Sequence, residues 1–450
     1  MKSDLRGGNS HEVRATCLMI GFTRKVKKMV YILDVNGEPL MPTERHGKVR
    51  RLLKEGKAKV VRREPFTIRL LYETESHIVQ ELMLGVDTGS KTIGTAVSTT
   101  DGKIFYASEV EIRNDISERM TQRSKYRRSR RNRKTRYRKA RFDNRRNSIK
   151  TDRFSPTIVS KLHSHEREIN FIESILPISS IILETGTFDP QLMKDETLRY
   201  NKWGYQKGPN YGFENTKAKV LFRDDYTCQC CKGKRKDSKL EVHHIIYRSK
   251  GGSDDEKNLI TLCHSCHKDL HAGKIKKDFT GKRKGTLKHA TQMNSIRKQL
   301  LRRFHEAIET YGHITKANRQ ELKLSKEHYI DACVIASGGI MPNIKTKLYI
   351  KKEIPKGDYQ RSKGVRSQQM LPKGKIHGFK KFDKVTYNNE AYFIKGRMTS
   401  GYAVLMDING NKADFSHMPK GKKTPKLKEL KRIQARSGQM IATKAIHSTT

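Results

Sequence analysis

Runs and alternations of apolar residues divide the chain into short strands and a few amphipathic helices. Val30 to Leu33 predicts a strand, closed by the turn signal Asp34-Val35-Asn36-Gly37. Glu38-Pro39-Leu40-Met41-Pro42 then makes a rigid entry to the next element. Lys48 to Lys54 predicts a short basic helix ending near Gly56, and Val60-Val61 and Phe66 to Tyr72 predict two more strands. Residues 29–80 thus read as a small basic α/β unit, and residues 1–28, which lack periodicity, as an N-terminal extension.

Leu82 to Asp87 is a buried-type strand that ends on a carboxylate. Ile93 to Ser98 and Ile104 to Ile112 follow as strands, with Gly89 and Gly94 marking turns and Asp101-Gly102 a hairpin turn. Ser155-Pro156 is an N-cap with proline at the first helical position. Behind it, Ile158, Leu162, Ile169, Ile172, Ile175 and Leu176 form a helical stripe. Ile178 to Glu184 is a second buried strand ending on a carboxylate. Beyond a linker at 200–214, the pattern predicts a helix over about 290–311, a strand around 313–317 and a helix over 325–337. The last hundred residues predict strands at 384–387, 391–394 and 403–408 in a small β-barrel-like module with a basic tail.

Charge changes the picture. Lys and Arg number 95 against 47 Asp and Glu, a formal net charge of +48, while apolar residues make up only 34%. Such an excess predicts a polyanionic partner. No uncharged apolar run approaches the roughly 20 residues of a membrane span, and Gly338, Gly339 and Pro342 interrupt the most apolar stretch. No clean signal-peptide cleavage site follows the short apolar patch at 15–22, so the expectation is a soluble, cytoplasmic protein that holds nucleic acid and touches no membrane. The basic charge peaks between Arg119 and Arg146, with fifteen Lys or Arg and one acid. Arg123, Arg127, Arg128, Arg130, Arg131, Arg133, Arg136, Arg138 and Arg141 are the candidate nucleic-acid contacts there, helical only if something neutralises them.

Two constellations carry chemistry. Asp87 and Glu184 end apolar strands, and Asp331 opens the apolar face of a helix with His328 one turn before it. Two strands and a helix packed over them can bring three carboxylates together, as paired Mg²⁺ ions require. The second constellation is Cys228-x-x-Cys231 and Cys263-x-x-Cys266, whose spacing closes a tetrahedral Cys₄ zinc site, with Cys230 leaving a one-residue register alternative. Between and after the pairs stand His243, His244, Asn258, His267 and His271, the last two sharing one helix face.

The carboxylate set, in this order, resembles the RuvC-like branch of the RNase H fold. That resemblance implies that Asp87, Glu184 and Asp331 hold Mg²⁺ or Mn²⁺ and that His328 positions or relays a proton. The order V-H-H-I, N-L, L-C-x-x-C-H-x-x-x-H resembles HNH endonucleases. It implies that His243, His267 and His271 hold one Mg²⁺ or Mn²⁺, and that His244 is the general base, its ring oriented by a backbone carbonyl. Asn258 would pin the loop. An arginine-rich run between Asp87 and Glu184, with an HNH unit between Glu184 and Asp331, resembles the RNA-guided nucleases. The short chain and Pro39-Leu40-Met41-Pro42 are most similar to the IscB family, transposon-associated relatives of the type II CRISPR effectors.

The resemblance implies an α+β multidomain fold: an RNase H-like (RuvC) core split by an arginine-rich bridge helix and an inserted ββα zinc-bound HNH domain. The expected division is 1–28 extension, 29–80 basic α/β domain, 81–113, 151–200 and 287–345 RuvC-like parts, 114–150 bridge helix, 201–286 HNH domain with linkers, and 346–450 a module facing a target-adjacent motif. The expected function is RNA-guided double-strand DNA cleavage by a monomeric ribonucleoprotein with a large structured guide RNA. HNH would cut the guide-paired strand and the RuvC-like site the displaced one. Two other readings are an HNH homing-type endonuclease that reads DNA directly, and an RNA-binding structural protein with vestigial nuclease folds.

Overall fold

The structure, a computed structural model, describes residues 29–74, 79–131, 154–186, 192, 196–200, 212–235, 237–250, 252–275, 279, 288–344, 346–355, 374–419 and 424–446. Its centre is an eight-stranded mixed sheet. Along the sheet the strands run Ile308–Thr310, Ser180–Glu184, Leu82–Asp87, Thr92–Thr99, Lys103–Glu111, Leu348–Glu353 and Gln439–Lys444, with Asn343–Ile344 pairing beside Lys103–Glu111. Leu82–Asp87, Thr92–Thr99 and Lys103–Glu111 are antiparallel neighbours. Ser180–Glu184 runs parallel to Leu82–Asp87, and Ile308–Thr310 parallel to Ser180–Glu184.

Strand parity decides what each face carries. Leu82, Leu84, Val86, Ile93, Val97 and Leu183 pack into one core with helices Pro156–Glu173 and Lys288–Arg303. The opposite parity places Gly85, Asp87, Gly94 and Ala96 under helix His328–Ala336, whose Ala332, Cys333 and Ala336 are fully buried. This helix lies unusually close. A Cβ at Gly85 would stand 2.5 Å from Ala332 O, and one at Gly94 only 2.0 Å from His328 O. Gly94, expected at a turn, therefore lies inside a strand, where it admits a helix backbone.

Two elements differ from the sequence expectation. The helix expected to reach 311 stops at Arg303 and is followed by the edge strand Ile308–Thr310. The stretch expected as a strand around 313–317 belongs to helix Gly312–Glu321. Its inward side chains, Thr315 and Arg319, are four apart, so the segment meets the core at helical rather than strand spacing.

Residues 29–74 form a four-stranded sheet in the order Pro39–Thr43, Val30–Leu33, Phe66–Leu70, Ala58–Arg63, with helix His46–Lys54. Tyr31 docks this unit on the centre: its hydroxyl donates to Phe105 O at 3.1 Å and its ring meets Tyr106 edge-on. Nearby, Lys351 Nζ donates to both Glu168 oxygens at 2.8 and 2.9 Å, with both side chains 0% exposed. Residues 384–434 build a separate four-stranded antiparallel sheet around Val385, Ile394 and Leu405. Leu348–Glu353 and Gln439–Lys444, from within the same 346–450 stretch, instead extend the central sheet. Among the described residues, no helix is long and apolar enough to cross a membrane.

The basic run enters the described structure as helix Ile116–Arg131, started by Asp115, which pairs with Arg113 and Arg119. Arg123, Arg127 and Arg128 are exposed on it. Arg130 and Arg131 lie in its last turn, their side chains outside the description; Arg133, Arg136, Arg138 and Arg141 lie outside the described residues.

Candidate active sites

Parity sends Asp87 and Glu184 to the same face of neighbouring parallel strands, under the helix that carries His328 and Asp331. His328 Nδ1 donates to Asp87 Oδ2 at 2.6 Å, which holds the imidazole above its ordinary pKa. Arg319 Nε pairs with Asp331 Oδ1 at 2.7 Å, and Arg297 approaches Glu184 at 3.8 Å while donating to Thr88 Oγ1 at 2.9 Å. Burial, then the charge of Asp87, raises the pKa of both Glu184 and Asp331. The site thus offers hard carboxylate oxygens, the ligand type that Mg²⁺ or Mn²⁺ takes, although the three do not converge within 4.8 Å as the four thiols below do.

The second site is built on a hairpin. Leu240–His244 pairs antiparallel with Leu259–Cys263, setting His243 opposite Ile260 and His244 opposite Leu259, and helix His264–His271 follows. Cys228, Cys231, Cys263 and Cys266 gather their sulfurs within 4.8 Å of one another. Cys231 and Cys263 are 3.9 Å apart; bonds of about 2.3 Å to a tetrahedral Zn²⁺ need roughly 3.8 Å between sulfurs. The four thiols fit zinc.

Ligand nitrogens of His243, His267 and His271 form the other such cluster among the described residues. His267 Nδ1 donates to Glu241 Oε2 at 2.5 Å, so its Nε2 keeps the lone pair and faces His271 Nε2 at 3.1 Å. Burial, with the positive charge His267 and His271 can carry, pushes His243 down to about 4, in the neutral form a metal needs. This donor set is all imidazole. It suits transition ions better than Mg²⁺, which prefers oxygen.

His244 points elsewhere. Its Nε2 donates to Asp254 Oδ1 at 2.7 Å, where a backbone carbonyl was expected, and Arg248 holds the same oxygen at 2.7 Å. The proton-accepting nitrogen left to His244 is Nδ1. Asn258 closes the loop between them: its Oδ1 accepts from Ile246 N, and its Nδ2 donates to Ile246 O and Ser253 O.

Residues 228–273 match the family described as HNH endonuclease, and residues 30–208 the family described as RRXRR protein. Arg127-Arg128-Ser129-Arg130-Arg131 spells that second motif. Anaredoxin of Nostoc sp. (strain PCC 7120) is 40% identical over 74 residues, 16% of this chain and 93% of that protein. The chain carries an HNH endonuclease domain. A second relative of this HNH nuclease is the type IV methyl-directed restriction enzyme EcoKMcrA of Escherichia coli (strain K12), 48% identical over 40 residues. That match spans 9% of the nuclease and 14% of the restriction enzyme.

Several residues that contact the two sites carry little or no signal in the sequence. Glu241 stands two residues before His243, and the i, i+2 spacing that puts both on one strand face was a usable signal. Asp254, Arg297, Thr315 and Arg319 reach their partners only through tertiary structure, and no local spacing marks them.

Proposed function

We propose that this HNH nuclease is an RNA-guided DNA endonuclease of the IscB type, with the HNH site cutting the guide-paired strand and the carboxylate site the displaced one. The observation that carries this reading is the carboxylate site itself: Asp87 and Glu184 share one face of neighbouring parallel strands, under the helix that carries His328 and Asp331. A homing enzyme that reads DNA through one HNH site has no use for it. The net charge of +48 and the exposed arginines of Ile116–Arg131 support a large RNA partner held by its phosphates. The likeness of a short segment to a restriction enzyme supports DNA as the substrate.

At the HNH site, His244 takes the proton of the attacking water on Nδ1 while Asp254 holds the ring through Nε2–H. His243, His267 and His271 would hold a divalent ion, whose chemistry is Lewis-acid stabilisation of the charge that develops on the scissile phosphate. At the other site Asp87, Glu184 and Asp331 would do the holding, and Arg319 and Arg297 keep two of those carboxylates in place. Specificity in this reading comes from base pairing, so the protein needs backbone contacts more than base-reading ones.

Supercoiled plasmid carrying a target matched to the co-purifying RNA tests it. Wild type gives linear product, His244→Ala and Asp87→Ala each give open circle nicked on opposite strands, and the double variant gives no cut. A linear product from either single variant, or nicks on the same strand, overturns the two-site assignment. Activity that needs no RNA overturns the guide.

A further inference from the structure

Glu184 sits beneath the start of helix Gly312–Glu321. Thr310 is its pairing partner across the sheet, Thr315 hydrogen-bonds its carboxylate, and a Cβ at Gly312 would stand 2.9 Å from its Oε1. Tyr311 is therefore flanked on both sides by residues against the carboxylate site. Its own ring turns out to solvent, 45% exposed, and lies nearly parallel to the ring of exposed His313, with centroids 5.9 Å apart at 13°. Ile314 next to them is exposed as well. Lys316 is exposed three residues beyond His313, and Glu309 on the other side has its carboxylate engaged by Thr185 Oγ1 at 2.7 Å.

A flat aromatic pair is costly to leave in water, and among the described residues no other ring or cation is stacked on it. We propose that Tyr311 and His313 form a stacking platform for unpaired bases of the single strand that enters the carboxylate site. This rests on reading Asp87, Glu184 and Asp331 as a nuclease centre. Three observations favour a nucleic-acid strand as the occupant. The pair adjoins the residues that would receive the scissile phosphate. The chain as a whole is strongly cationic. A guide that already supplies sequence recognition leaves the protein only sequence-tolerant contacts to the displaced strand, and base–aromatic stacking is tolerant because every base offers a π-face. Ring stacking would hold the bases next to the cut while Lys316 meets the backbone.

The test uses the full chain loaded with its RNA and two matched targets, whose displaced strand beside the Asp87-dependent cut is either an oligo-dT stretch or, in the abasic probe, a stretch of the same length without bases. Tyr311→Ala should raise KM for Asp87-dependent cleavage of oligo-dT by roughly 5- to 150-fold, the range that loss of one base–aromatic stack implies. The change in kcat should be much smaller, and Tyr311→Trp should restore KM. On the abasic probe Tyr311→Ala and wild type should behave alike. Equal KM on oligo-dT, or an equal loss on both probes, overturns the platform. A second readout needs no cleavage: a 5-iodouracil oligonucleotide should photo-crosslink to the peptide carrying Tyr311, and no crosslink there also overturns it. If Asp87→Ala cuts oligo-dT at the wild-type rate, the nuclease reading of the carboxylates fails, while the crosslink still decides the platform.

Discussion

Gly94→Ala is the sharpest perturbation available, because it adds one methyl group under the carboxylate-bearing helix and touches nothing at the HNH site. The new Cβ would stand 2.0 Å from the His328 carbonyl oxygen, where contacts shorter than 3.0 Å essentially do not occur. That oxygen is backbone, at the first residue of the helix, so it cannot rotate away. The N-terminal end of helix His328–Ala336 must withdraw by about 1 Å, an overpacking strain that typically costs about 1–3 kcal/mol. A protein of ordinary stability, about 5–15 kcal/mol, survives this. The site does not. The 2.6 Å hydrogen bond from His328 to Asp87 lengthens past hydrogen-bonding range, and Asp331 moves with the same helix. A misplacement of this size costs roughly 10²-fold in rate. On matched supercoiled plasmid, Gly94→Ala should therefore give open circle, with only the guide-paired strand cut. Gly186→Ala is the control: its Cβ would meet nothing nearer than Gly312 N at 3.9 Å, and linear product should persist. Linear product from Gly94→Ala at the wild-type rate would refute the packing argument, and loss of both cuts would show that the damage is global.

Cys228→Ser should remove one tightly held zinc per chain and unfold the HNH segment, checked by metal analysis and limited proteolysis. After mild chelation that leaves the structural zinc in place, cleavage at the His244 site should return with Mn²⁺ or Ni²⁺ more readily than with Mg²⁺, while the Asp87 site should accept Mg²⁺; strand-resolved nicking with each ion decides this. Lys351→Met strips the sealed Glu168 of its buried cation, and should cost about 3–5 kcal/mol in urea unfolding. His165 is buried with its pKa lowered to about 4 by desolvation, so between pH 6.5 and 4 the unfolded chain takes up a proton that the folded one refuses. Its contribution is intact above pH 6.5 and falls away by about 3 kcal/mol as pH drops to 4. His165→Leu should flatten that slope in unfolding curves, and an unchanged slope would mean that the imidazole is not buried neutral.

Positions whose placement follows from local spacing are legible in the sequence. Asp87 and Glu184 were readable because a short apolar run ending on an acid is a strand tip, and the zinc cysteines because two knuckles are hard to form by accident. Contacts set at long range were not. The segment His313–Ala317 suits a strand or a helix equally well by its side chains alone, and what decides is Thr315 and Arg319 meeting two carboxylates from distant parts of the chain. Gly94 looked like a turn because nothing near it in sequence announces a helix backbone 234 residues later in the chain. Asp254 shares no periodicity with His244; a loop closed by Asn258 brings them together.

The central sheet also sets an order of events during synthesis. Leu348–Glu353 pairs on one side with Lys103–Glu111, already made, and on the other with Gln439–Lys444, still to come. At about 5–20 residues per second, that outer edge stays open for roughly 4–17 s of translation. The described residues packed on the cysteine unit end at Phe279, so it can take its metal while the edge is still waiting. A nascent chain therefore carries a finished HNH fold beside an unpaired strand, and an unpaired strand is a template for another chain. Lysines at 351 and 352 make it a poor one, since Lys351 must remain solvated until its partner Glu168 closes over it. A chain cut short before Gln439 keeps that edge for its lifetime, and self-association, more than a missing strand, is what it should suffer.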